Sequence, residues 1–219
     1  MSQKSLSYHQ FHQWLLSFPP KDATYDIHID EIMIKDQAGE HCLEVPVVLR
    51  TGELAYPSRL LKQIEENQPF IIIIMQAGRA AIGIAEGDRL IRSKNIQKYM
   101  VRKSQGKSQL SYLAQKGKSR LGSRIRLRQA AEFFLDLSRY LQQCITEWPD
   151  SLVFLSCTPR LKGAWFQSSD PPPLERKDPR WRKIPFYCHN ARLQDLEDIH
   201  EKLSSAIRVS RKVSPSTDS

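Results

Sequence analysis

Thirteen Lys or Arg residues and no Asp or Glu lie between Arg89 and Ala131. Neighbouring cations add their potentials and displace counterions together from a phosphate track, so the block is a docking surface for a polyanion. The chain carries a formal net charge of +9, and the 176 residues outside the block, with 20 basic and 24 acidic side chains, sum to −4. The basicity is local. Nucleic acid fits the block better than a membrane surface, because no long amphipathic stretch there pairs Lys or Arg with bulky membrane-seeking residues. At its polar centre stands Gly106-Lys107-Ser108-Gln109, with no Ser-His-Asp set or carboxylate pair in or near it.

Other chemistries find less support. Cys42, Cys144, Cys157 and Cys188 are far apart with no CxxC pair, which argues against zinc. Without a secretory signal, four reduced, buried thiols in a cytoplasmic protein are the expectation. His9 and His12 share a helix-like spacing but have no evident third ligand. The longest apolar run, Phe70 to Met75, is too short to span a bilayer. No metal or cofactor is expected, no membrane partner, and a monomer when free.

The elements around the block must position it. At 219 residues and 40% hydrophobic, the chain is expected to form one α/β domain with extensions. Phe11, Trp14, Leu15 and Phe18 fall on one face of a predicted helix over 6–18, ended by Pro19-Pro20, which reads as a docking helix and linker over 1–24. Alternation at Tyr25, Ile27 and Ile29, and again at Leu43, Val45 and Val47, predicts two strands around a turn at Asp36-Gln37-Ala38-Gly39. Pro57 opens a short helix carrying Leu60, Leu61 and Ile64. Phe70–Met75, Ala80–Ala85 and Leu90–Lys98 read as an antiparallel meander that feeds the basic block.

No period holds between Tyr99 and Gly122, so a long polar loop is predicted there. Leu127, Ala130, Phe134, Leu137, Leu141, Ile145 and Trp148 then mark an amphipathic helix stopped by Pro149. Leu152–Leu155 is a core strand, 157–182 an irregular excursion and Ile184–Tyr187 a short strand. Asn190 is predicted to cap a helix with the apolar face Leu193, Leu196, Ile199, Leu203 and Ile207. The tail 209–219 is expected to be disordered. Trp165, Phe166, Trp181, Phe186 and Tyr187 either stack on bases or, more commonly for such residues, pin the excursion to the core.

Arg124, Arg126 and Arg128 in the first turns of the long helix oppose its macrodipole, where carboxylates would be expected. A phosphate at the helix start would turn that cost into binding.

Around the loop the chain reads Tyr99-Met100-Val101-Arg102-Lys103-Ser104-Gln105-Gly106-Lys107-Ser108-Gln109, followed by Lys116-Gly117-Lys118-Ser119-Arg120. This resembles the Gly-x-x-Gln loop of the Vms-type release-factor-like domain in ribosome quality-control peptidyl-tRNA hydrolases, related to the middle domain of class-1 release factors. The meander before the loop and Ile184-Pro185-Phe186 before the last helix match as well, and the resemblance spans residues 25–208. Lys107-Ser108 stand where the release factors have a second glycine. The compact length fits a bacterial single-domain form.

The resemblance implies an α/β fold of the release-factor middle-domain (RNase H-like) type: a mixed five- or six-stranded sheet flanked by helices, with a long basic catalytic loop. It implies ester hydrolysis of peptidyl-tRNA on stalled ribosomes or large subunits, with Gln109 orienting water and Gly106 allowing positive φ or close approach to RNA. Lys107, Ser108 and Gln105 would meet the substrate end. Arg102, Lys103, Lys116, Lys118, Arg120, Arg124, Arg126 and Arg128 would contact rRNA or tRNA phosphates. Two alternatives stay open: a non-catalytic ribosome or RNA-binding module, and an endonuclease removing the tRNA 3′ end.

Overall fold

The computed structural model describes residues 5–17, 24–27, 31–36, 39–50, 57–98, 118–188 and 190–208. They fall into two units. Unit 1 comprises 1–68, 86–89 and 199–219, and unit 2 comprises 69–85 and 90–198.

Unit 1 is an antiparallel sheet with two helices. Its strands are β1 (Ser5–Leu6), β2 (Thr24–Ile27), β3 (Glu31–Asp36), β4 (Gly39–Glu44) and β10 (Ala206–Arg208), in the order β1-β10-β4-β3-β2. Ile32 and Ile34 of β3 and Leu43 of β4 form one buried core with Phe11 and Leu15 of α1 (Tyr8–Leu16) and Leu60 and Ile64 of α2 (Pro57–Glu66). α1, the segment read as a docking helix, packs Phe11 and Leu15 into this unit's core. Asp88 secures the start of α1, accepting from Ser7 Oγ at 2.9 Å, Tyr8 N at 2.6 Å and His9 N at 2.8 Å. Those two amides are orphan donors of the helix start. Burial, and then the Asp88 carboxylate, push the Tyr8 phenol pKa upward. Next to Asp88, Gly87 has φ +52°, and a Cβ there would meet Asn67 Oδ1 at 2.9 Å and Tyr8 Cδ1 at 3.2 Å, so a side chain at this position would be strained.

Unit 2 carries the mixed sheet. Its strands are β5 (Phe70–Gln76), β6 (Arg79–Glu86), β7 (Arg89–Gln97), β8 (Leu152–Ser156) and β9 (Trp181–Lys183), in the order β7-β6-β5-β8-β9. β5 pairs antiparallel with β6 and parallel with β8, and β8 pairs parallel with β9. Ile71, Ile73 and Met75 share a core with Phe133, Leu137, Leu141 and Cys144 of α3 (Lys118–Glu147). Ile72, Ile74 and Phe154, which lie outside that core, are also buried. On that second face Gly83 lies so close to α5 (Leu193–Ser204) that a Cβ would meet Leu196 Cδ2 at 2.8 Å. Burial on both faces is why β5 reads as an unbroken apolar run.

Several predicted elements shift. The region read as two strands holds three, β2, β3 and β4, while Val47 sits in a 3-10 turn (Val47–Leu49). α3 begins at Lys118, so the end of the predicted polar loop is helical and includes Gly122. Extending an existing helix adds one hydrogen bond per residue fixed, and a glycine costs only about 1 kcal/mol. The excursion opens with α4 (Pro159–Phe166), capped by Thr158 Oγ1 accepting from Leu161 N.

The strand predicted at Ile184–Tyr187 lies at Trp181–Lys183 instead. Ile184 N still donates to Leu155 O, and Pro185, with no N–H, ends the ladder. Asp195, not Asn190, serves the start of α5, accepting from Arg192 N and Asn190 N at 3.2 Å each. α5 stops at Ser204, and Ile207 pairs with Ser5 and Glu44 in β10, where a sheet ladder overrides the helical period. Residues 209–219 lie outside the described residues.

Candidate functional site

The loop expected to carry chemistry leaves the end of β7 and re-enters at α3. Its root is Lys98, whose backbone N–H donates to Gly78 O at 2.9 Å. The Lys98 ammonium lies 3.1 Å from Asp136 and 3.8 Å from Glu132, both on α3. Fourteen residues separate Lys118 from Glu132, so α3 runs about 21 Å beyond this anchor toward its N-terminus. No acidic residue occupies the first turn of α3.

Arg102, Lys103, Gln105, Gly106, Lys107, Ser108, Gln109 and Lys116 lie outside the described residues. Lys118, Arg120, Arg124 and Arg126 occupy the first turns of α3, and their helical backbone puts them on the extension that begins past the Lys98 anchor. Arg128, exposed at 83%, donates from Nε to Glu132 at 2.9 Å. An i,i+4 pair so exposed contributes only about 0.5 kcal/mol, so it holds the guanidinium weakly. Along α3, positions 120, 124 and 128 are basic and positions 132 and 136 acidic, all at four-residue spacing. The sign reverses where Lys98 is bound.

Two kinds of cation that look alike in the sequence are separated by the structure. Arg92, Lys94 and Lys98, two or four residues apart on one face of β7 and its end, are engaged by α3. The Arg92 guanidinium sits 5.8 Å over the Tyr140 ring and 5.4 Å over the Trp148 ring and pairs with Glu147 at 2.9 Å. Lys94 lies 5.4 Å over the Tyr140 ring. Burial raises the Tyr140 pKa above the ordinary phenol value, and the neutral ring offers its face to both cations. The signal available in the sequence was period-two basic spacing on a strand beside an aromatic helix flank. These three residues brace the platform; the cations from Lys118 onward extend from it.

The aromatic set divides as well. Trp165 is fully buried, and its indole N–H donates to Ser138 Oγ at 2.8 Å, while that hydroxyl donates to Asp170 O at 2.8 Å. Trp181 packs edge-on against Trp165 and Phe166, with Lys162 5.3 Å over its ring. This cluster pins α4 to the sheet edge. Phe186 is half-buried, whereas Tyr187 is 78% exposed.

Among the described residues no group of three or more His, Cys, Asp or Glu side chains is arranged to hold a metal ion. No helix among them is long and apolar enough to cross a membrane.

The fold has a solved counterpart. A structure titled "Vms1 mitochondrial localization core" superposes with a TM-score of 0.54 at 16% identity, over 97% of this chain and 87% of that one. At that identity the likeness is one of fold, and the mixed sheet flanked by helices is release-factor-like. No curated protein matches the sequence. The model of the Bacteroidetes VLRF1 release factor matches residues 70–211, from the first strand of the mixed sheet through the loop and α3 to just past β10. The chain therefore belongs to the Bacteroidetes VLRF1 release factor family.

Proposed function

We propose that the protein is a peptidyl-tRNA hydrolase that frees nascent chains from tRNA on stalled ribosomes or large subunits. The observation that carries this reading is a Gly106-x-x-Gln109 sequence between β7 and α3 in a chain of a release-factor family. The bond to be broken is the ester between the peptide and the terminal ribose. Water adds to the carbonyl carbon, a tetrahedral oxyanion forms, and the ribose oxygen leaves with a proton, giving a free carboxylic acid and a deacylated tRNA. Gln109 orients that water. An amide cannot act as a base near neutral pH, so the protein's contribution is placement, and RNA groups complete the site. No cofactor is required. Gly106 supplies backbone freedom beside Gln109, and Gln105, Lys107 and Ser108 face the substrate end.

The arginines and lysines from Arg102 to Arg128 meet rRNA and tRNA phosphates and set register rather than sequence. Eleven residue steps separate Lys98 from Gln109, so an extended chain reaches at most about 36–40 Å from the anchor. That contour length is ample to enter a deep RNA cavity.

Release of peptide from purified ribosome-bound peptidyl-tRNA, wild type against Gln109→Ala, tests the reading. Release should vanish while ribosome affinity stays within about twofold, and the freed tRNA should keep its terminal nucleotides. Lys107-Ser108 in place of a second glycine favours a second reading, a ribosome-binding module without hydrolysis. Release that is equal in wild type and Gln109→Ala would select it, and a shortened tRNA would indicate 3′-end cleavage instead.

A further inference from the structure

The topology of the mixed sheet gathers four chain segments at one end. β5, β8 and β9 run parallel, and β7, reached from antiparallel β6 through the tight turn at Gly87-Asp88, runs with them. The segments leaving the C-terminal ends of these strands are 76–79, the loop beginning at Lys98, 156–160 and 183–188. None of them contains an Asp or Glu. The short segments place Arg79 at the start of β6, Arg160 in the first turn of α4 and Lys183 at the end of β9. Arg160 and Lys183 are exposed and Arg79 is half-exposed, and among the described residues none of the three forms an ion pair.

Solvated charges scattered at random would not respect strand direction. The opposite end of the same sheet supplies the comparison: the segments entering β8 and β9 hold Glu147, Asp150, Glu175 and Asp178 beside Arg176, Lys177 and Arg180. One end is mixed in sign and the other is wholly cationic. Among the described residues, the carboxylates at the root of the loop are Glu132 and Asp136, and both are engaged by Lys98. Asp195, at the start of α5, is occupied by two backbone N–H groups. α4 also opens with a cation and no acidic residue in its first turn, so its dipole adds to the positive potential.

We propose that Arg79, Arg160 and Lys183 form an RNA-phosphate docking face flanking the root of the loop. It would seat unit 2 on the RNA. Arg79 is level with Gln76 and Lys183 with Ile73, so the two are three strand spacings (about 14 Å) apart across the sheet and three residues (about 10 Å) along it, about 17 Å in all, a span that covers more than one phosphate of a nucleic-acid strand. The inference deepens the proposed function by adding a docking surface outside the loop and α3, and it rests on that reading for the identity of the RNA.

The test is binding to purified large ribosomal subunits as a function of salt. Replacing all three residues (Arg79→Gln, Arg160→Gln, Lys183→Gln) should reduce the magnitude of the log K against log salt slope by about two, near 0.7–0.9 for each phosphate left unneutralised. The pair Arg176→Gln and Lys177→Gln, at the sheet's other end, should leave the slope unchanged. In release assays the triple variant should raise KM several-fold with kcat preserved. Arg160→Gln alone, at an exposed position, guards against a folding defect and should lower the slope by about one third of the triple variant's change. An unchanged slope in the triple variant, equal flattening by the control pair, or binding to an acidic peptide as tight as to the subunit would each overturn the proposal. Binding is read without catalysis, so an inert Gln109 would sink the hydrolase reading and leave this face standing.

Discussion

Lys98 Nζ stands 3.1 Å from an Asp136 carboxylate oxygen, tying the residue that follows β7 to the middle of α3. The pair is about one-third exposed on each side, so its contribution to global stability is small, about 0.5–1 kcal/mol. Its positional effect is larger, because it fixes where the loop begins relative to the helix that follows. In a double-mutant cycle, Lys98→Gln and Asp136→Asn should show a coupling under about 1 kcal/mol in urea melts. Each should lower peptide release several-fold, and additive losses in the double variant would remove the pair from loop placement.

Arg124 and Arg126 lie on the part of α3 that extends past this anchor. Ribosome affinity should fall steeply with salt, and Arg124→Gln with Arg126→Gln should flatten the slope by close to two. Filter binding across a salt series measures this. A slope identical to wild type would take both residues off the RNA-facing surface.

Ser138 is the hinge of a buried polar relay from Trp165 to Asp170 O. Ser138→Ala leaves a fully buried indole N–H without its acceptor, which costs about 1–3 kcal/mol. A matching drop in the urea midpoint is expected, with little change in ribosome affinity, because Trp165 holds α4 and has no exposed ring to offer a base. Unaltered stability would mean that the indole finds another partner.

Asp178 accepts from the Arg180 guanidinium at 2.7 and 3.0 Å and from the Arg180 backbone N–H at 2.9 Å. These hydrogen bonds hold its carboxyl below the ordinary aspartate range. The folded-state pKa is the lower one, so the stabilisation is complete above the ordinary value near 3.9 and fades as pH falls through the depressed value. Asp178→Asn should flatten the acid limb of stability below about pH 4 and leave the slope between pH 6 and 8 as it was. Chemical denaturation over a pH series gives the comparison, and an acid limb as steep as wild type's would assign it to other carboxylates.

Legibility followed how much each local pattern was asked to explain. β5 and the C-terminal half of α3 were plain, since Phe70–Met75 is buried on both faces and Phe134, Leu137 and Leu141 recur at helical spacing against it. Unit 1 was not. Its strands are short, and β3 alternates Ile32 and Ile34 with Met33 and Lys35 just after β2, so two strands read as one. β10 owes its form to pairing with β1 and β4, segments more than 160 residues away in the chain, which no local window contains. The start of α3 was hidden by Gly117, Gly122 and the lack of apolar recurrence, because a helical extension needs only backbone hydrogen bonds. At the site, the motif was legible and the bracing was not. The ring contacts of Arg92 and Lys94 depend on an edge strand lying beside α3, and charge alone gave them the same face value as Arg124.

Asp88 and Gly87 also bear on how this protein can be cut. The matched span starts at residue 70, yet Asp88 within it tethers α1, Gly87 O accepts from His200 and Ser204, and β10 completes a sheet whose other members precede residue 45. A fragment trimmed to the matched span would strip Asp88 of its partners and bare both margins of β10, inviting self-association. Expression of that span alone should therefore yield aggregates, and the workable excision is one that keeps the first sixty-eight residues.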